Sequence, residues 1–448
     1  MPVDSDYSPQ AQTYTSCISV FLTVQEVFMM NLAEIVGIIA EYHPFHNGHL
    51  YQMRNARAMT GASYCVVVLS GHFVQRGMPA IYSSRLRAEA ALRCGADAVF
   101  ELPSPFSSAS ARDYARFAVS LLSSLGIQQL SCGTEDASSA ELSLLTDCIS
   151  EESPIFQHSL QCSLKDGLSF PEARLAAILD DLRSAGAAPE LLLRTKELLM
   201  QPNNILALEY AHAIRTLSSE LQLCCVERKG SGYHDPVLHG DFASATALRG
   251  QLLQGSSVSA LSDYMPQEAC ELFSTVPPLS PDRLCAALER RILNLLYEGR
   301  ALSDFADVSG ELAARIAKSR LQYESYETLV NALKTRQYTH TRIARALTHI
   351  FLGITKEQMQ LWKSCSSAPY ARLLGFRRDS AELLSALKEH SSIPIISKAA
   401  DAPQLLSTPA ALSLLQAEAH AAALWNSLLF EQSRISSPRL YEQQIVIV

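Results

Sequence analysis

A chain of 448 residues is too long for one ordinary hydrophobic core, so two or three domains are expected. Hydrophobic residues make up 48% of the chain and charged residues 18%, a composition that excludes a disordered or fibrous class. The net charge of −8 argues against a protein whose whole surface binds nucleic acid, although it leaves a local basic face open.

Residues 1–31 are predicted to be a poorly ordered N-terminal extension. Their apolar stretch follows Asp4 and Asp6 and is interrupted by Gln25 and Glu26, so it makes a poor secretory signal. No apolar run reaches the roughly eighteen residues that a bilayer-spanning helix requires. The eleven cysteines form no Cys-x-x-Cys pair, so we expect reduced thiols in a cytoplasmic protein.

From residue 35 onward, short apolar runs alternate with longer amphipathic stretches, which predicts an α/β fold with a parallel sheet. The runs of Val, Ile, Leu and Cys are continuous, as expected for strands buried on both faces. The predicted strands are Ile35–Ala40, Tyr64–Ser70, Ala98–Leu102, Gln129–Cys132 and Leu221–Glu227. Helices are predicted at Ser83–Cys94, between a serine cap and Gly95, and at Arg112–Leu125.

The pattern changes twice along the chain. Residues 137–200 are helical with no clear strand and are predicted to be an insertion. The segment 273–283, rich in Pro and Ser, marks a linker, and everything after it has a helical pattern. The chain therefore divides into an α/β half at 32–272 and an all-α half at 283–448, with a weaker break at 391–403.

Three histidines follow the first predicted strand in the stretch EYHPFHNGHL. A helix that opens directly after a buried strand points its first N–H groups out of the sheet's carboxyl edge, where open α/β sheets bind anions and nucleotides. His46 and His49 lie three residues apart and can donate hydrogen bonds to phosphate oxygens. Gly48 removes a side chain where a nucleotide must approach closely.

Two other interpretations of this stretch stay open. A metal site would need a third ligand, and the nearest acidic residue is Glu41. Alternatively, the histidines could merely cap and pack a helix. The strand, glycine and helix in sequence favour the phosphate interpretation over both.

The sequence resembles the adenylyl-transferring HUP superfamily at two motifs. His46-Asn47-Gly48-His49 matches its His-x-Gly-His motif, and Thr246-Ala247-Leu248-Arg249, preceded by Ser244, matches its Ser/Thr-x-x-Arg motif. The resemblance implies that helix N–H groups, a hydroxyl and Arg249 converge on a triphosphate. His46, His49 and Arg249 are the catalytic residues that it implies.

Further segments narrow the resemblance to one family. GIIAEYHPFHNGH, SGHFVQRGMPAIYSSRLRAEAALRCGADAVFELP, CGTED, QPNNILALEY, RKGSGYHD and ASATALR are together similar to the bacterial tRNA(Met) cytidine acetate ligase family. The similarity covers about residues 35–390. It implies a Rossmann-like HUP domain at 32–272 that binds ATP and contains the catalytic site, followed by a helical RNA-binding domain at 283–448.

The resemblance also implies the nucleotide contacts. ATP would lie along Ile39, Ala40, Glu41, Tyr42, His43, Pro44, Phe45, His46, Asn47, Gly48, His49, Leu50, Tyr51 and Gln52, with further contacts from Gly133, Asn203 and Arg228. Magnesium is a candidate to bind together with the ATP. Arg228 offers a planar fork to phosphate. Asn203 is equally well placed to cap a helix. At His43 the chain departs from the family, in which Asn usually stands.

Two further segments are candidate RNA or phosphate contacts. Arg76 lies in a glycine-flanked loop after the second strand, where a phosphate contact and a structural role are equally supported. Between Leu312 and Ile350, seven basic residues stand against two acidic ones, interleaved with Tyr323, Tyr326 and Tyr338. This basic patch, predicted to contact tRNA, is Arg315, Lys318, Arg320, Lys334, Arg336, Arg342 and Arg345.

The expected activity is ATP-dependent ligation of acetate to tRNA(Met), with an acetyl-adenylate intermediate and N(4)-acetylcytidine as the product. A small-molecule adenylyltransferase and a catalytically inactive RNA-binding protein are the alternatives. The former would have no use for a basic helical half. The latter would not depend on the two histidines.

Overall fold

A computed structural model describes residues 34–229, 242–319 and 323–448 of the chain. The predicted extension at 1–31 and Arg320 lie outside these residues. Within them, the strands are β1 Ile35–Ala40, β2 Tyr64–Ser70, β3 Phe73–Val74, β4 Met78–Pro79, β5 Ala98–Leu102, β6 Gln129–Thr134, β7 Gln222–Glu227, β8 Ala371–Phe376, β9 Ile395–Ile396 and β10 Val446–Ile447. The five strands predicted from the sequence are confirmed within two residues.

The helices of the α/β half alternate with its strands. They are α1 Asn47–Thr60, α2 Ser84–Arg93, α3 Ser104–Ser107, α4 Ala111–Ser124, α5 Ser139–Glu151, α6 Pro154–Lys165, α7 Phe170–Ser184, α8 Pro189–Leu199, α9 Pro202–Thr216, α10 Ala245–Leu253 and α11 Gln267–Phe273. Helix α2 begins where Ser83 accepts a hydrogen bond from the Leu86 N–H, and Gly95 follows its last turn with a φ of 114°. Helices α5 to α8 form the predicted insertion.

Strand order in the main sheet is β10-β8-β5-β2-β1-β6-β7, with β9 beside β8. From β5 to β7 neighbouring strands are parallel, and the chain runs outward from β1 in both directions. In sheets of this kind ligands bind where the order reverses, outside the carboxyl ends of the strands. That point lies between β1 and β6.

Both faces of the sheet are buried, as the continuous apolar runs predict. On β1, Ile35 and Ile39 point into one core, while Val36 and Ile38 point into the other. All six residues of this strand are buried. The side chains of β1 are therefore used for packing, and polar function begins only after residue 40.

After residue 283 most of the chain is helical. The helices are α12 Arg283–Tyr297, α13 Gly310–Lys318, α14 Tyr326–Leu333, α15 His340–Leu352, α16 Lys356–Lys363, α17 Ala381–His390, α18 Ala402–Leu405 and α19 Pro409–Ser433. The hairpin β3–β4 packs closely on α15. A Cβ added at Gly77, whose φ is 74°, would lie 2.3 Å from the backbone nitrogen of Arg345. In the described part of the chain no helix is both long and apolar enough to cross a membrane.

The α/β fold with a helical region is confirmed, but the expectation of helix throughout 283–448 is wrong at three strands. Strand β8 pairs antiparallel with β5, and β9 and β10 each pair with β8. The sequence ARLLGF in β8 is a short apolar run among helices, where length and periodicity do not separate strand from helix. The C-terminal region therefore extends the sheet of the α/β half.

Candidate active site

A cleft of about 490 Å³ opens at the carboxyl ends of β1, β6 and β7. Its walls are formed by His46, Gly48, His49, Tyr51, Gln52, Gly133, Val226, Glu227, Arg228, Lys229, Phe242, Ala243 and Ser244. This is the point at which the strand order reverses. The structure thus brings both halves of the sheet, and the start of α10, to the place where the sequence predicts a nucleotide.

His46 and His49 form a reciprocal cap on helix α1. His46 Nδ1 accepts from the Gly48 N–H at 3.0 Å, and His49 Nδ1 accepts from the His46 N–H at 3.3 Å. The two rings are in contact, with their centroids 3.8 Å apart and their planes tilted by 33°. A neutral imidazole whose Nδ1 accepts carries its proton on Nε2. The interpretation that the histidines cap a helix is therefore correct. Capping uses only the Nδ1 atoms, so two Nε2–H donors remain, and both residues line the cleft.

The histidine pair is uncharged at neutral pH. Burial, together with the positive charges of Arg228 and Arg249, lowers the pKa of His46 to about 3. Burial also holds the pKa of His49 well below its ordinary value. The two side chains can therefore offer hydrogen bonds as neutral donors.

These pKa shifts predict a stability that falls as pH decreases. Burial lowers the pKa of His43, His46, His49 and His72, so below their ordinary pKa these side chains bind protons in the unfolded chain but not in the folded chain. Below about pH 6.5 each histidine should subtract up to about 1.4 kcal/mol per pH unit from the free energy of unfolding. Thermal unfolding followed from pH 7.5 to pH 5 should show a steadily falling Tm, and a constant Tm over that range would contradict this account.

Gly48 has a second reason to be glycine. A Cβ at this position would lie 2.8 Å from Cε1 of His46 and 3.0 Å from its Nδ1. The prediction that the missing side chain admits a nucleotide is not tested by this contact. The structure shows that its absence first makes room for the His46 ring, which explains why the motif joins the two residue types.

Arg249 joins the downstream motif to the first one. Helix α10 begins where Ser244 accepts from the Ala247 N–H at 3.0 Å. From its second turn Arg249 donates to the Thr246 hydroxyl at 3.0 Å and to the His43 carbonyl at 2.8 Å. The downstream motif is thus in direct contact with the loop that leads from β1 into the first motif, about two hundred residues away in sequence.

Gly133, Asn203 and Arg228 also come together. The Arg228 side chain packs on Gly133, with Cγ 3.4 Å from where a Cβ would lie, and its Nη1 donates to Asn203 Oδ1 at 3.3 Å. Asn203 in turn donates to Glu135 Oε1 at 2.6 Å. The alternative that Asn203 caps its helix is wrong, because the N-cap residue of α9 is Gln201. Asn203 lies behind Arg228, and its contact with ATP stays a prediction.

Within the stretch 39–52, the residues divide between cleft and core. Tyr42 and Phe45 are buried in the same core as Ala40, and Ile39 is buried in the core on the other face of the sheet. Asn47 donates to the Asp263 carbonyl at 2.9 Å. Any contact of these residues with ATP would have to come from the backbone. Pro44 and Leu50 do not line the cleft either.

His43 has a structural role. Only 3% exposed, it accepts a hydrogen bond at Nε2 from the Ile81 N–H at 2.9 Å and so joins the loop after β1 to the loop before α2. An Asn could accept the same bond with its side-chain oxygen. Nucleotide contact through the His43 side chain is therefore not supported, and its carbonyl, held by Arg249, is the part nearest the site.

Glu41 does not turn toward the histidine pair. Its Oε1 accepts from the Gln75 N–H at 2.7 Å. The metal interpretation of the three histidines loses the third ligand that it named. Among the described residues, the His and Glu side chains that come within ligand spacing are His72, Glu101 and Glu418, in the buried interior.

That buried cluster is neutralised by protein charges. Arg372 on β8 donates to Glu101 at 2.5 Å, and Glu418 on α19 accepts from the Ser104 N–H. Burial raises the pKa of both glutamates, and the Arg372 cation opposes that rise. The cluster ties the end of β5 to the C-terminal region.

Arg87 is a site residue that sequence reasoning missed. Its fully buried guanidinium donates to the carbonyls of Tyr82 at 3.0 Å, Glu41 at 2.5 Å and Ser70 at 3.0 Å, and also to that of Gly71. Three of these carbonyls belong to the segments that leave β1 and β2, and the fourth is that of Tyr82 in the loop before α2. The available signal was an arginine among the buried residues of α2, which are otherwise Ser84, Leu92 and three alanines.

The basic patch is only partly free. Arg315, Lys318, Lys334 and Arg336 are exposed. Arg345 pairs with Asp307 at 3.3 Å, and Arg342 lies half-buried over the Tyr338 ring. Two of the three interleaved tyrosines are buried: Tyr326 donates to the carbonyls of Gly77 and Ala344, and the Tyr338 hydroxyl donates to Glu311.

Arg76 lies in the loop between β3 and β4 and is half-buried. Burial lowers the pKa of His43, and the positive charges of Arg249, Arg87 and Arg76 lower it further. The loop is therefore close to the site, in line with its predicted position at a strand's carboxyl end. A contact of Arg76 with phosphate or RNA stays a prediction.

Comparison with known proteins agrees with this geometry. A family model described as HIGH Nucleotidyl Transferase matches residues 33–438. The tRNA(Met) cytidine acetate ligase of Clostridium novyi is 33% identical over 369 residues, which cover 81% of this chain and 90% of that protein. That of Clostridium kluyveri is 32% identical over 417 residues, or 92% of this chain and all of the relative.

A solved structure shares the whole fold. Thermotoga maritima TmcAL bound with alpha-thio ATP superposes with a TM-score of 0.83 at 26% identity, covering 92% of this chain and 99% of the other. A parallel sheet with a histidine pair capping the first helix at its switch point defines a nucleotidyl transferase of the HIGH class. Within that class, the chain belongs to the tRNA(Met) cytidine acetate ligase family.

Proposed function

We propose that this chain activates acetate with ATP as acetyl-adenylate and transfers the acetyl group to the wobble cytidine of elongator tRNA(Met), forming N(4)-acetylcytidine. The observation that carries the proposal is the pair of neutral Nε2–H donors beside Arg249 and Arg228 at one end of the sheet. The names of the relatives supply the acetate and the tRNA. We propose a cytoplasmic location, in keeping with these substrates.

In the first step acetate attacks the α-phosphorus of ATP and pyrophosphate leaves. Acetate is ionised at neutral pH because carboxylic acids titrate near pH 4, so this step requires no general base. The enzyme has to align the reactants and stabilise negative charge on the phosphate oxygens. His46, His49, Arg249 and the N-terminus of α1 are suited to that task.

Magnesium would arrive with ATP as part of the substrate. Glu227 is the carboxylate that lines the cleft among the described residues. Because Mg²⁺ keeps several waters and binds phosphate oxygens readily, one protein carboxylate near the triphosphate is enough for it to be accommodated.

In the second step the exocyclic amine of cytidine attacks the acetyl carbonyl. The C–N bond forms, the amine gives up one proton, and AMP leaves as the mixed anhydride breaks. An anticodon-loop base is unpaired and can be turned out into a pocket, so the wobble cytidine is physically accessible.

Labelled acetate distinguishes the proposal from its two alternatives. We expect label to enter tRNA with release of AMP when enzyme, ATP and tRNA(Met) are all present. A small-molecule adenylyltransferase would leave the label out of tRNA. An inactive RNA-binding protein would bind tRNA without consuming ATP. Either result would reject the ligase function.

Exposed members of the basic patch provide a separate test of tRNA contact. The variant Lys318→Ala with Lys334→Ala should bind tRNA more weakly and should lower the slope of log affinity against log salt by about two. ATP affinity should not change. Lys165→Ala with Lys196→Ala, two exposed lysines on α6 and α8, is the matched control. Equal loss of tRNA and ATP binding would indicate misfolding instead of a lost contact.

A further inference from the structure

Two cysteines face each other directly across the strands that hold the cleft. Cys132 on β6 and Cys225 on β7 are register partners in parallel strands. Their sulfur atoms lie 4.0 Å apart. Both thiols are free, and both side chains point to the same side of the sheet. The pair is thus in contact before any bond exists between the sulfurs.

The two thiols are chemically unequal. Cys132 is buried, whereas Cys225 is partly exposed. The Cys225 sulfur accepts a hydrogen bond from the Ser139 hydroxyl at 3.7 Å and shares a second one with the Cys132 thiol, in which either sulfur can donate. Ser139 is the first residue of α5, so the positive end of that helix lies beside the sulfur.

These contacts favour a thiolate at one position only. Hydrogen bonds from Cys132 and Ser139 lower the pKa of Cys225 to about 7, and the same bond with burial raises that of Cys132. A partly exposed thiolate beside a second thiol is the arrangement of a redox-sensitive pair, in which one sulfur is oxidised and the other resolves it.

We propose that Cys132 and Cys225 form a redox-active dithiol that a peroxide converts into a disulfide. The Cys225 thiolate attacks a peroxide oxygen, the O–O bond breaks, and Cys225 becomes a sulfenic acid while hydroxide leaves and takes up a proton to become water. Cys132 then attacks that sulfur, and the S–S bond forms as a second water leaves. Two electrons pass from the thiols to hydrogen peroxide in total, and an added thiol reverses the change.

The bond would act on the nucleotide cleft. A disulfide needs the sulfurs about 2 Å apart, so both side chains must rotate to close the present gap, and any strain in the new bond is carried by β6 and β7. The next residue on each strand, Gly133 and Val226, lines the cleft. Gly133 already touches the Arg228 side chain. A shift there would displace Arg228, and this coupling to ATP rests on the proposed function whereas the thiol pair itself does not.

Peptide mapping after oxidation tests the pair. The full chain is treated with hydrogen peroxide, remaining thiols are blocked, and disulfides are mapped by mass spectrometry. We expect a bond between Cys132 and Cys225 that dithiothreitol removes. Cys225→Ser should abolish it, and Cys224→Ser, on the neighbouring position of the same strand, should leave it intact. A sulfenic acid that stays unpaired, a bond to another cysteine or no reaction would each overturn the proposal.

ATP affinity tests the coupling separately. After full conversion to the disulfide, the dissociation constant for ATP should rise about threefold or more and should recover on reduction. Unchanged affinity in the oxidised chain would overturn the coupling. If the reduced chain failed to bind ATP, the proposed function would fail while the mapped disulfide still stood.

Discussion

Replacing His46 with asparagine should lower the rate of acetyl-adenylate formation by about a hundredfold to a thousandfold. Asparagine is a good N-cap and can accept from the Gly48 N–H as His46 Nδ1 does. It has no donor at the position of Nε2, so the hydrogen bond to phosphate is lost while the cap is kept. Pyrophosphate exchange with acetate present would measure the rate, and thermal unfolding would report the fold.

The comparison variants make this result specific. His46→Ala removes the cap as well, and should cost about 1 kcal/mol of stability in addition to the lost rate. His390→Asn, at the exposed end of α17, controls for the chemical change. Full exchange activity in His46→Asn would show that the Nε2 donor has no part in catalysis.

Removing the Arg87 side chain should destabilise the fold by about 3–5 kcal/mol. Four carbonyls, from the segments that leave β1 and β2 and from Tyr82, would lose their donor, and three of these hydrogen bonds are buried. Burial lowers the pKa of Arg87 to about 10, so the guanidinium stays charged at neutral pH. Without the Arg87 guanidinium, the loops that carry the histidine pair should become disordered.

Arg87→Lys separates these contributions. It keeps the charge but offers one ammonium in place of a planar fork, so stability should be restored in part. The KM for ATP should be raised in both Arg87→Ala and Arg87→Lys, because neither holds all four carbonyls. Arg93→Ala removes an exposed ion pair with Glu89 on the same helix, and should change stability by no more than about 0.5 kcal/mol. Chemical denaturation and steady-state kinetics would measure both. If Arg87→Ala were as stable as Arg93→Ala, the inference that Arg87 holds these loops in place would be wrong.

The sequence predicts the central strands well because they are buried on both faces and so consist of unbroken apolar runs. It predicts β8 and β10 poorly. Strand β8 is six residues long and β10 only two, and both follow long helical stretches. Their strand character comes from pairing with distant residues, such as Val99 with Gly375, and no local pattern contains that information.

The site divides in the same way. The positions of His46, Gly48 and His49 follow from a strand that ends before a helix cap, which is local chemistry. The roles of His43 and Arg87 depend on backbone groups that reach them from other loops. Residue type alone could not distinguish the buried hydrogen-bonding role of His43 from contact with a ligand.

Strand β8 has a consequence for how the protein is made. It covers the open edge of β5 and brings Arg372 to the buried Glu101. On the ribosome, residues up to 283 emerge long before β8, so until then β5 has an unpaired edge and Glu101 has no Arg372 partner. The α/β half therefore cannot finish folding while it is being synthesised. Its sheet is completed only when the last quarter of the chain has been made.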